Sequence, residues 1–130
     1  HIGRVVASIL DQYAFYTSLG FSISPGFEKP VDDFEQHVRV GVIETGGILI
    51  ELLEPLDERS PIQSFLQKGG GFHHLCYEVD TLATSIALIE SNKNSRQITP
   101  ITHSVWEGRR VVFFITNSGE IFELLERVVL

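Results

Sequence analysis

The feature that most constrains this 130-residue chain is an internal repeat. HIGRVVASILDQYAFY, from His1, overlays HLCYEVDTLATSIALI, from His74, at an offset of 73 residues. His1 falls on His74, Val6 on Val79, Ser8 on Thr81, Ile9 on Leu82 and Ala14 on Ala87. A second pair, IELLEP from Ile50 and FELLER from Phe122, overlays at an offset of 72 and brings Glu51 onto Glu123. Two kinds of matching segment, in the same order and at nearly equal spacing, are the signature of one supersecondary unit used twice.

Each copy reads alike. A short strand (Ile2 to Val6; Leu75 to Val79) runs into Ser8 or Thr81, whose hydroxyl is suited to accept from the unbonded amides at a helix start. The spacing predicts helices from Ile9 to Leu19, stopped at Gly20, and from Leu82 to Ser91, with Asn92 or Asn94 near the end. Three β-type runs follow each helix: Phe21 to Ser24, Val38 to Glu44 and Gly47 to Leu53, then Gln97 to Thr99, Arg110 to Ile115 and Glu120 to Val128. The expected class is α+β, with βαβββ modules at about residues 1–56 and 73–130 of a single domain. ERSPIQSFLQKGGG should link them as a short helix, with Ser60 as cap, Pro61 in the first turn, Gln63 closing a capping box and Gly69 to Gly71 as its end.

Composition narrows the functional classes. A net charge of −7 with scattered Lys and Arg offers no basic stripe for a phosphate backbone, so nucleic acid is not an expected partner. No apolar run approaches the ~20 residues that span a bilayer, and the start is not signal-like. One cysteine, Cys76, leaves no internal disulfide framework. The expectation is a soluble cytoplasmic protein with no membrane partner.

Strand alternation picks out four residues. In HLCYEV, Leu75, Tyr77 and Val79 should pack under a helix while His74, Cys76 and Glu78 face away, and His1 repeats this against Ile2 and Val6. His73 then points with the helix-facing set or lies in the entering loop. Ile50 and Leu52 turn Glu51 away from the helices, as Phe122 and Leu124 turn Glu123. If the sheets curve toward each other, His1, Glu51, His74 and Glu123 meet. Imidazole nitrogens and carboxylate oxygens suit one divalent Zn, Ni, Co, Mn or Fe ion and leave positions for water or substrate. A lone carboxylate or strand histidine is usually only solvated or hydrogen-bonded; the repeat is what raises these four above that reading.

HIG at the start, ELLEPLDERSPIQSFL, GGGFHHLCYEVD and IFELLE resemble the vicinal-oxygen-chelate (glyoxalase/bleomycin-resistance) superfamily, in particular its methylmalonyl-CoA epimerase-like branch, over nearly the whole chain. The resemblance implies paired βαβββ modules in an incomplete barrel around a divalent metal, ligands at His1, Glu51, His74 and Glu123, and a homodimer. The chain departs from the branch in FFITNSGEIFEL, which lacks the usual His-Pro-Lys segment and glycine pair, and in Val105 and Trp106, where small residues are usual. The Asn-Trp-Gly and Asp-Pro-Asp-Gly segments of glyoxalase I are absent too.

The function so implied is a metal-dependent epimerase or isomerase that removes the proton α to a thioester carbonyl through a metal-stabilised enediolate. Glu123 is the expected base. The returning acid is sought among Glu35, Glu44 and Glu51. Arg39, out of phase with Val38, Val40 and Val42, is expected to face the cavity, there to bind a substrate carboxylate or balance Glu51. Arg109, Arg110 and Lys68 are candidates for an anionic tail, although exposed basic residues need no such role. Cys76 reads as a semi-buried thiol, and Trp106 and Phe113 as mouth or core. The alternatives are a glyoxalase I-type lactoylglutathione lyase and a non-catalytic small-molecule-binding or resistance protein. A two-histidine, one-carboxylate iron oxygenase and a copper site at an N-terminal histidine fit less well.

Overall fold

The computed structural model describes residues 1–128; Val129 and Leu130, at the end of the second expected module, lie outside the described residues. The chain is α+β and divides into two compact units, 1–73 and 74–130. Among the described residues there are ten strands and three helices, and no helix is long and apolar enough to cross a membrane.

The first unit runs β1 (Ile2–Val5), α1 (Ile9–Ser18), β2 (Ser22–Ile23), β3 (Val31–Asp33), β4 (Val38–Glu44), β5 (Leu49–Pro55) and α2 (Gln63–Gln67). β1 lies parallel to β5, β5 antiparallel to β4, and β2 and β3 share the other edge of β4. α1 begins as expected: Ser8 is extended, and its Oγ accepts from the Asp11 amide. The helix covers one face of the sheet, burying Val6, Ile9, Tyr13, Ile43 and Leu52 together.

The second unit repeats the plan with β6 (Gly71–Val79), α3 (Leu82–Asn92), β7 (Ser95–Gln97), β8 (Thr102–His103), β9 (Arg110–Thr116) and β10 (Ile121–Glu126). β6 is parallel to β10, β10 antiparallel to β9, and β7 and β8 share the far edge of β9. Thr81 caps α3 by accepting from the Thr84 amide, and Leu82, Val112, Phe114 and Leu124 form the core beneath it.

The linker helix departs from expectation. α2 starts at Gln63 with Ile62 at its cap position and no side-chain cap bond. The Ser60 hydroxyl is buried without a hydrogen-bond partner, and only the Ser60 carbonyl takes the Gln63 amide, at 3.2 Å. The turn closes through the backbone, so the capping box does not form.

Candidate metal centre

The repeat delivers one histidine and one glutamate to the same face of each sheet. In the first unit, β1 sends Arg4 and Val6 toward α1, where Arg4 donates to Gln12 Oε1 at 2.8 Å and Val6 joins the core. His1, Gly3 and Val5, one step out of phase, take the opposite face. Glu51, in register with Gly3, shares that face because Ile50 and Leu52 pack under the helix. His1 Nε2 lies 3.5 Å from Glu51 Oε1, with side chains 3% and 7% exposed.

The second unit makes the same arrangement. Phe122 and Leu124 pack toward α3, so Glu123 faces away from it. His74 Nε2 is 3.6 Å from Glu123 Oε1, with side chains 0% and 5% exposed. Phe113, in register with Glu123, meets the His74 ring edge-on at a centroid distance of 5.1 Å and so fixes its plane. His73 turns the other way and meets Phe65 of α2 at 4.9 Å. His74 is the one of the adjacent histidines that pairs with Glu123.

The donor chemistry fits a divalent ion. Burying a carboxylate costs several kcal/mol unless positive charge compensates it, and this sequence does so twice, each time beside an imidazole. Two ligands each about 2.1 Å from one ion are about 3–3.4 Å apart, close to the separation within each pair.

Arg39 is a correction. Gly41 and Ile43 of β4 meet α1, so Arg39, in phase with them, stands on the helix side and not with Glu51. Its Nε donates to Asp32 Oδ1 at 2.8 Å, its Nη1 lies 3.6 Å from Glu54 Oε1, and it lines a surface recess with Ser8 and Pro30. The alternation misled because Val38, Val40 and Val42 are buried on the Glu51 face: both faces of β4 are apolar. Arg110 is also drawn to the helix side, where it grips both oxygens of Glu126 at 2.9 Å.

Glu54 and Glu126 went unnoticed in the sequence. Each sits three residues beyond a candidate ligand and accepts from the first amide of the helix above it, Ile9 N at 3.1 Å and Leu82 N at 2.8 Å. Extending the 72-residue offset by three positions would have found them. Of the acids considered for proton return, Glu44 is exposed and accepts from Ser24 Oγ, and Glu35 lies in the turn after β3 with its amide on Asp33. Glu44 is in phase with Val42 and so shares the Glu51 face, but at the far end of β4 opposite Leu49, and Glu35 lies outside the strands.

A profile of the glyoxalase/bleomycin resistance protein/dioxygenase superfamily matches residues 1–113. The chain belongs to that superfamily. Within it, the mitochondrial methylmalonyl-CoA epimerase of Dictyostelium discoideum is 35% identical over 103 residues, covering 76% of this chain and 61% of that protein, so the chain spans less than two thirds of that relative's length. The uncharacterized protein YqjC of Bacillus subtilis is 31% identical over 130 residues, covering 97% of this chain and 89% of its own. Among solved superfamily structures, methylmalonyl-CoA epimerase from Mycobacterium tuberculosis superposes with a TM-score of 0.85 at 25% identity, over 99% of this chain and 87% of that one. The fold class expected from the repeat is the fold of these superfamily members.

Proposed function

We propose that the protein is a metal-dependent epimerase acting on a 2-methylmalonyl-CoA-like thioester. The observation that carries this reading is the buried His–Glu pair present once in each unit, supported by the names of the superfamily relatives. His1, Glu51, His74 and Glu123 would together hold one divalent ion. Such an ion, when bound, lowers the cost of forming negative charge on a chelated carbonyl oxygen.

The chain's own groups supply the proton transfers. Glu123, ionised, takes the α-proton, and the C–H electron pair moves onto the carbonyl oxygen. Glu51, which would have to be off the ion to be protonated at this step, then gives its proton to the opposite face of the α-carbon as the electron pair returns from oxygen to carbon, leaving the two carboxyls with their protonation states exchanged. The valines at 38, 40 and 42 leave Glu51 as the carboxyl of its face in the middle of the first sheet, which makes it the acid of choice. Homodimerisation belongs to the same reading, and light scattering at micromolar concentration tests it, a strict monomer counting against it.

The test is incubation of the metal-loaded protein in heavy water with 2-substituted malonyl and acyl thioesters, followed by mass spectrometry. The expected result is deuterium at the α-carbon, lost in Glu123→Gln with metal retained. Absence of uptake from every thioester refutes the epimerase. Turnover of a glutathione hemithioacetal would then favour the lyase, and tight binding of a small ligand without turnover the resistance-type protein.

A further inference from the structure

We propose that Arg109, braced by Glu78 and seconded by Arg127, is an oxyanion-binding subsite on the same sheet face as Glu123. This deepens the thioester reading above: it assigns the anionic part of the substrate to the second unit.

Register places the cluster. Glu123 pairs with Cys76 and with Phe113, and two positions further along Leu125 pairs with Glu78 and with Val111. The residues between them, Leu124, Tyr77 and Val112, belong to the helix side, where Leu124 and Val112 join the core and Tyr77 meets Phe122. Glu78 therefore shares the face of Glu123 and lies about 7 Å along the sheet from it, at a rise of about 3.4 Å per residue. Arg109 reaches this face from just before β9, its neighbour Arg110 having turned to the helix side.

The Arg109 head is held but not saturated. Its Nη1 donates to Glu78 Oε2 at 2.8 Å and its Nε to the Trp106 carbonyl at 3.3 Å, and the side chain is only 17% exposed. Those two bonds use two of the five N–H donors of a guanidinium. Arg127 donates from Nε to the other oxygen of Glu78 at 3.0 Å, and its Nη1 pairs at 3.1 Å with the largely exposed Asp80. Two guanidiniums converge on one carboxylate and Asp80 balances the second, so what the cluster offers an anion is the unused N–H donors of Arg109 rather than net charge.

Two of the other basic candidates are accounted for. Arg39 and Arg110 are engaged on the helix sides by Asp32, Glu54 and Glu126. The corresponding face of the first unit offers Val38, Val40 and Val42, which suit an apolar substituent. A planar fork braced by a carboxylate is the geometry that recognises a carboxylate or phosphate in bidentate fashion.

The experiment is a titration of the purified protein with methyl phosphate and, separately, with glutarate, following arginine Nε–H resonances by NMR. Saturable shifts at Arg109 are expected. Arg109→Gln should raise the dissociation constant about tenfold, as for loss of a charge-assisted pair. Glu78→Gln should lower it about threefold, because the glutamine oxygen can still accept the bracing bond from Arg109 Nη1 while the competing negative charge is gone. A merely structural ion pair would make both variants bind more weakly or not differently, and either result overturns the proposal. Preference for methyl phosphate points to a phosphorylated carrier and preference for glutarate to a carboxylated one; both support the subsite. The readout does not use turnover, so failure of the thioester exchange with intact anion binding would sink the epimerase reading alone.

Discussion

Gly41→Ala tests how tightly α1 is seated on the strand pair that carries Glu51. A Cβ built on Gly41 would lie 2.6 Å from Ile9 Cγ2, 2.7 Å from the Tyr13 hydroxyl and 3.0 Å from Tyr13 Cε1. Carbon atoms in contact prefer about 3.5–4.0 Å, and neither neighbour has room to retreat, since Ile9 is fully buried and Tyr13 nearly so. The Tyr13 hydroxyl is pinned as well, donating to the Phe27 carbonyl at 2.6 Å and accepting from the Val42 amide at 3.3 Å. Overpacking of this kind costs about 1–3 kcal/mol, and loosening one buried hydrogen bond adds about 1 kcal/mol. Alanine in place of a strand glycine would otherwise stabilise by about 0.5–1 kcal/mol, so the net loss should be about 2–3 kcal/mol. For a chain of this size that lowers Tm by about 10 °C in a circular-dichroism melt. Tyr13→Phe removes one clashing atom, so the double variant should be less destabilised than the sum of the singles. An unchanged or raised Tm for Gly41→Ala, or strict additivity, refutes the reasoning.

Two further outcomes follow from the sites. Elemental analysis of protein purified without chelator should find about one divalent ion per chain, with occupancy falling far more in His74→Ala than in His73→Ala; equal losses would refute the assignment of faces in β6. The Arg110 guanidinium, and then the Leu82 amide, hold Glu126 below the ordinary glutamate range. A depressed folded pKa means this stabilisation is present above the unfolded value, near 4.3, and is lost as pH falls through the folded one. Melts of Glu126→Gln and wild type should therefore differ at pH 7 and converge in acid, and a gap constant with pH would refute the clamp.

What was legible in the sequence was whatever the repeat states twice. His1 with His74, Glu51 with Glu123, and the caps Ser8 with Thr81 all emerged from pairing the halves. Single-strand alternation was less dependable. It worked in β1, β5, β6 and β10 and failed in β4, where Val38, Val40 and Val42 are buried on the face opposite α1. There the informative residue was Gly41, whose missing side chain admits the helix. β3 and β8 went unseen; they are three and two residues long and their pairing is set by the strands they edge. The linker cap failed because hydroxyl and carbonyl of one serine compete for the same amide, and geometry chose the carbonyl.

Glu51 and Glu54, like Glu123 and Glu126, are separated by an odd step on a continuous strand, so one carboxylate serves one face and the next serves the other. The spacing acts as a reading frame. A single residue inserted between them would carry the helix-binding carboxylate to the wrong side of the sheet relative to the ligand, disabling either the helix anchor or the ion site with one event. The offset between the halves does change, from 73 at the first helix to 72 at the last strand. That lost residue falls between Ala14 and Glu51 in one frame of comparison, among turns and edges where length is cheap, and never within the ELLE quartets.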